Sequence, residues 1–209
     1  MYLPKFKDKI VCEKLMVSIT DEYKKLNNLD INKSPSPDGV HFRVLKELSR
    51  ELAKPLHHIF ETSITSSKIP TDWKDANVTA IHKKVIKMAD NYRPISLTSV
   101  ICKIMENIVR DVIMNHMKIN NLFSNKQFGF LSGRSTTLQL LNVLDDWTEA
   151  LDNGHIIDII YTDIQKAFDS VPHKRLLSKI KSCGIEGNML NCINTFLNNR
   201  RQLVLVNGT

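Results

Sequence analysis

Asp163 and Phe168 lie five positions apart in the stretch Tyr161-Thr162-Asp163-Ile164-Gln165-Lys166-Ala167-Phe168-Asp169. The stretch follows Ile156-Ile157-Asp158-Ile159-Ile160, a run with the length and β-branched content of a buried strand. Strand alternation puts Ile157, Ile159, Tyr161 and Asp163 on one face, with Asp163 the only charge on it. A carboxylate at the end of such a strand can hold a hard cation such as Mg²⁺, with the carbonyl of Ile164 as a second oxygen. It can equally cap the helix expected to follow. Phe168 can wall a nucleotide sugar or serve as an ordinary core aromatic. Asp169 can be a second ligand, an ion-pair partner or a cap. A metal ligand followed by an aromatic wall is the layout that nucleotidyl transfer requires.

A second group is cationic. Val78-Thr79-Ala80-Ile81-His82-Lys83-Lys84 reads as a short strand, and Asn91-Tyr92-Arg93-Pro94-Ile95-Ser96-Leu97 as a second extended segment, because the residue before a proline avoids the helical region. Paired as a hairpin, they bring Lys83, Lys84 and Arg93 together. Converging cations suit a triphosphate, whose charge must be neutralised; the alternative is a solvated hairpin face. The loop from Gln127 to Thr137, with Gly129, Gly133, Arg134 and Ser135, lacks the order of a phosphate-binding P-loop.

The net charge is +7, and ten basic residues against five acidic ones fall between Lys68 and Lys126. That surplus suits an anionic partner, such as nucleic acid, nucleotide or a membrane surface, and equally an indifferent lysine-rich surface. The hydrophobic content of 42% supports a packed core and excludes global disorder. Cys12, Cys102, Cys183 and Cys192 have neither CxxC nor zinc spacing and are read as buried thiols on helices in a reducing compartment. With no apolar run long enough for a membrane and no leader pattern, a soluble intracellular protein is expected, nuclear or cytoplasmic.

The remaining elements position these residues. Residues 4–27 read as an amphipathic helical lead-in, and Ser34-Pro35-Ser36-Pro37-Asp38-Gly39 as a breaker. A helical pattern from Phe42 to Ile64 contains Pro55, a candidate kink. Residues 98–118 carry the clearest helix, with Val100, Ile101, Ile104, Met105, Ile108, Val109, Val112 and Ile113 on one face. A helix with Leu138, Leu141, Leu144, Trp147 and Leu151 along one side follows, then helices over 174–183 and up to about Asn199. Gln202 to Val206 reads as a strand entering an Asn-Gly turn with no returning strand, the sign of a truncated domain or of a frayed end.

Five segments in this order resemble one family. They are Lys33-Ser34-Pro35-Ser36-Pro37-Asp38-Gly39, Pro70…Trp73-Lys74…Ala76…Val78 with Ile81-His82-Lys83-Lys84, Asn91-Tyr92-Arg93-Pro94-Ile95-Ser96-Leu97, Gln127-Phe128-Gly129-Phe130…Gly133-Arg134-Ser135-Thr136, and Tyr161 to Val171 with His173. The family is the reverse transcriptase of non-LTR retrotransposons, LINE-like and jockey-like, and the resemblance runs from about residue 32 to the end.

The resemblance implies an α+β, helix-rich, right-hand polymerase: a lead-in over 1–31, fingers over 32–145, and a partial palm over 146–209 with the first catalytic strand, truncated before the remaining palm strands and the thumb. It implies RNA-directed DNA polymerisation with two Mg²⁺ ions, an RNA template, a DNA primer and dNTPs, and no membrane. Asp163 would be a ligand of both ions, with the Ile164 carbonyl on one. Phe168 would exclude a ribose 2′-OH, and Arg93 with Lys83 or Lys84 would grip the triphosphate. Ser36 stands where the family usually has glycine, Leu131-Ser132 where Arg-Pro is usual, and Gln165 where serine is common. The family also has an Asp-Asp pair after the first aspartate. Here the only such pair, Asp145-Asp146, precedes Asp163. Two dications need carboxylates on both sides, so this chain alone is expected to be inactive. A non-catalytic RNA-binding remnant is the alternative; a nuclease using Asp163 and Asp169 ranks far below both.

Overall fold

The computed structural model describes residues 12, 18–33, 36–82 and 92–205, without the side chains of His82 and Arg93. The elements are α1 (Ile19–Asn27), α2 (Phe42–Glu47), α3 (Ser49–Ser66), a 3-10 turn (Thr71–Lys74), β1 (Asp75–His82), β2 (Tyr92–Thr98), α4 (Val100–Ile119), α5 (Thr136–Asp152), α6 (His173–Ser182), α7 (Gly187–Leu197) and β3 (Arg201–Leu205). They form two compact units. The first holds Met1–His116 and Pro172–Thr209, the second Met117–Val171.

The first unit owns the core. Apolar residues of α1, α2, α3 and α4 meet there: Leu26, Phe42, Leu45, Phe60, Ile104 and Ile108 are all buried. Trp73 in the 3-10 turn sets its ring edge-on to Phe60, centroids 5.8 Å apart, a favourable aromatic geometry. The long helical pattern breaks at Leu48, not at Pro55, and α3 runs through the proline. The break divides the pattern into two helices that send Phe42 and Leu45, and then Ala53, Leu56 and Phe60, into the same core. Pro55 costs α3 one intrahelical hydrogen bond, which core packing offsets.

The turn before α2 is closed by side chains. The Ser36 hydroxyl donates to the Asp38 carboxylate and, at 3.3 Å, to the Val40 carbonyl, while the Val40 amide donates to Asp38 Oδ1 at 3.0 Å. Burial pushes the Asp38 carboxyl up, but hydrogen bonds from Ser36, Val40 and Ser99 outweigh it and hold it below the usual carboxylate range. Gly39 takes φ +72°, where a side chain would be strained.

The described strands form one sheet in the order β2-β1-β3. The expected hairpin is present: β1 and β2 pair antiparallel from Ala76↔Thr98 to His82↔Tyr92. The strand expected from Gln202 is β3, and Asn207 and Gly208 of the expected turn lie outside the described residues. β3 pairs parallel with β1, from Asp75↔Arg201 to Thr79↔Leu205.

Two local expectations are corrected. Cys12 is not on a helix; it forms a parallel bridge with Ile185, its amide donating to the Gly184 carbonyl at 2.9 Å. Cys102 and Cys192 are buried, whereas Cys12 and Cys183 are half-buried. No described helix is long and apolar enough to cross a membrane.

The second unit is built differently. Ser135 caps α5, its hydroxyl accepting from the Leu138 amide at 3.2 Å. The leucine stripe of α5 is nonetheless exposed, and none of residues 117–171 is buried.

Candidate active site

The strand expected over 156–163 is absent: residues 155–164 are irregular, and 165–170 form turns. An extended apolar segment becomes a strand only beside a hydrogen-bonding neighbour, and no described strand lies along this one. Little of the expected alternation survives: Ile157 is half-buried, but Ile159 and Tyr161 of the same expected face are 47% and 83% exposed. Asp163 is exposed and caps no helix, because the next one, α6, begins at His173. The capping reading of Asp163 is therefore removed. Phe168 sits in the turn, 81% exposed, which removes its reading as a core aromatic. Asp169 is in the same turn and exposed.

What holds Phe168 is another exposed ring. Phe130 lies edge-on to it, centroids 6.2 Å apart and planes at 88°. Phe130 comes from the glycine-punctuated loop, and Arg134 ties that loop together. Its Nη1 donates to the carbonyls of Ser124 at 3.3 Å, Asn125 at 2.6 Å and Gln127 at 2.6 Å. Its guanidinium also lies 5.3 Å from the centre of the Phe128 ring. This loop is a clamp on backbone carbonyls, not a phosphate cradle. In the sequence Phe130 stands out only as part of the 127–136 segment of the family resemblance.

Of the cations, Arg93 takes its place on β2 opposite Ile81. Lys83 and Lys84 lie outside the described residues. Charge separates between the units: residues 117–171 carry four basic and seven acidic side chains, so the basic surplus belongs entirely to the first unit.

No group of three or more His, Cys, Asp or Glu among the described residues is arranged to hold a metal ion. Asp163 and the Ile164 carbonyl, expected from the sequence as ligands, would form only part of a metal shell. The described residues do not complete a site for two dications.

Residues 81–209 match the family model described as reverse transcriptase (RNA-dependent DNA polymerase). Curated relatives from Drosophila melanogaster agree. The probable RNA-directed DNA polymerase from transposon BS is 28% identical over 92% of this chain and 21% of its own length. The probable RNA-directed DNA polymerase from transposon X-element is 32% identical over 72% of this chain and 17% of its own. The RNA-directed DNA polymerase from mobile element jockey is 29% identical over 92% and 21%. The chain thus spans about a fifth of the length of these relatives. It belongs to the reverse transcriptase family, and its relatives are the polymerases of non-LTR retrotransposons.

Proposed function

We propose that this reverse transcriptase family chain forms the fingers and the first part of the palm of an RNA-directed DNA polymerase, with fingers over 32–145 and palm from 146. The observation that carries the reading is Asp163, exposed and uncapping, five residues before an exposed Phe168 within the family match. In that reading Asp163 and the Ile164 carbonyl contribute ligands for the divalent metal ions the family uses, taken as Mg²⁺, and Phe168 crowds the sugar of the incoming nucleotide. Arg93, with Lys83 or Lys84, draws charge off the triphosphate. The basic first unit grips RNA through phosphates and 2′-hydroxyls, with little sequence reading. A DNA primer and dNTPs complete the substrates.

Purified residues 1–209 test this. RNA binding that weakens steeply with salt, and no incorporation of dNTPs in a primer-extension assay with Mg²⁺ or Mn²⁺, are the expected results. Incorporation that Asp163→Ala abolishes would show that the chain needs no further carboxylates. Salt-insensitive binding would remove the electrostatic grip.

The second reading, an RNA-binding remnant without catalysis in any context, shares the binding result. The separation of charge favours it equally, and only an active setting for Asp163 tells the two apart.

A further inference from the structure

We infer that the exposed face of α6 is an RNA-binding surface, on which Lys174, Arg175, Lys179 and Lys181 grip the phosphates of an RNA strand without reading its sequence. The inference rests on the reading of the basic first unit as an RNA grip, and it assigns that grip to one helix.

The ten residues of α6 hold these four lysine and arginine side chains and no acid. The other described helices differ. Those with basic residues, α1 to α4, carry acids among them; α5 has acids alone, and α7 has no charged residue. Helical spacing puts the four cations and Ser178 on one side of α6, and Leu176, Leu177 and Ile180 on the other. The structure agrees: the four cations and Ser178 are exposed, the three apolar residues are half-buried, and α6 lies against α7. The end of the helix is tied down, because His116 Nε2 on α4 donates to the Cys183 carbonyl at 2.8 Å. The cations therefore stand on a fixed element, not on a tail.

Nothing in the first unit offsets this charge. None of the four cations joins an ion pair among the described residues, unlike Lys25, Arg110 and Arg201. Arg175 and Lys179, four positions apart, are like charges that repel on a helix surface. Lys174 and Arg175 stand in the first turn, which holds no acid and where the helix dipole disfavours cations. These placements weaken the helix by itself, and a polyanion laid along the face relieves all of them.

The chemistry of the face selects how RNA is held. It carries no aromatic side chain on which a base could stack, so it meets the backbone and not the bases. The helix rise sets Lys174 and Lys181 about 10 Å apart along the axis, a span of about three phosphates of one strand.

The test measures RNA affinity of the intact chain against salt, with two RNAs of unrelated sequence. One variant combines Lys174→Gln, Arg175→Gln, Lys179→Gln and Lys181→Gln. A control combines Lys24→Gln, Arg43→Gln, Arg50→Gln and Lys54→Gln, which removes the same charge from exposed positions of α1, α2 and α3. The α6 variant is expected to bind both RNAs at least roughly tenfold more weakly at low salt and to lower the slope of log K against log salt by about 2, with far smaller changes in the control. Its thermal melt is expected at or above that of the wild type, since repulsion is removed. An unchanged slope in the α6 variant, an equal loss in the control, or a lowered melt that makes the cations part of the fold overturns the inference and leaves the RNA grip of the first unit standing. Wild-type binding that ignores salt removes that grip, and the inference with it.

Discussion

Arg201 and Asp75 face each other as the first register pair of the parallel ladder between β3 and β1, joined by two hydrogen bonds. Nε lies 2.7 Å from Oδ1 and Nη2 2.6 Å from Oδ2. The pair spans 126 residues of sequence and fixes the register of β3 on the free edge of the hairpin. A parallel strand has no tight turn to set its register, so a side-chain pair has more to do there.

The Arg201 guanidinium holds the Asp75 carboxyl below its usual range. In the unfolded chain Asp75 titrates near the ordinary value of about 3.9. Its contribution is therefore complete above that pH and is lost as pH falls through the lowered folded value. Amide exchange over 201–205 is expected to show steady protection from neutral pH to about pH 5 and to weaken below about pH 4. Arg201→Ala is expected to speed that exchange several-fold at neutral pH and to flatten its acid dependence. Unchanged protection in Arg201→Ala would show that the ladder needs no such anchor.

A buried carboxylate makes the opposite kind of contribution. Glu22 on α1 is fully buried; its Oε1 lies 3.0 Å from His57 Nδ1 on α3, and its Oε2 has no hydrogen-bond partner. Removing the partner of a buried polar group costs about 1–3 kcal/mol, whereas replacing the polar group with an apolar one of the same shape can be nearly neutral. Denaturant unfolding should therefore show His57→Ala destabilised by about 1–3 kcal/mol and Glu22→Met changed by less than about 1 kcal/mol. Equal losses in both variants would contradict this account of the α1–α3 contact.

The core of the first unit should carry stability that the exposed positions 163 and 168 do not. Phe60→Ala opens a cavity beside Trp73 in the main core, and a loss of about 3–5 kcal/mol is expected. Asp163→Ala and Phe168→Ala alter exposed turn and loop positions and should change stability by less than about 0.5 kcal/mol. Thermal melts of the three variants check the contrast. A large loss in Asp163→Ala would mean that the carboxylate supports the fold rather than a ligand.

Local signals in the sequence resolved well. The apolar spacing of α4, the proline-marked β2 and the Gly-rich loop into α5 lie within a residue or two of their expected places, because hydrophobic periodicity and turn chemistry act over short distances. Long-range partners did not resolve. Nothing near Arg201 announces Asp75, and nothing near Ile156–Asp163 shows whether a neighbouring strand exists to order it. The break at Leu48 follows from packing two helices into one core, a tertiary demand that outweighed the proline seven residues on. At the candidate site, Asp163 and Phe168 were legible from spacing and resemblance. The contact of Phe130 with Phe168 was not, since it joins rings 38 positions apart. The placement of Lys83 and Lys84 lies outside the described residues, so the triphosphate grip stays a proposal.

The most direct test moves this chain into an active frame. Residues 1–209 would replace the matching segment of the jockey polymerase, to which they align over 92% of their length. RNA-templated primer extension by that chimera is then measured with and without Asp163→Ala. Incorporation that falls more than about a thousandfold on loss of the carboxylate, at unchanged RNA affinity, is the predicted result. A folded, RNA-binding chimera that makes no DNA, or one that extends primers equally well with alanine at 163, would contradict the assignment of Asp163 as a catalytic metal ligand.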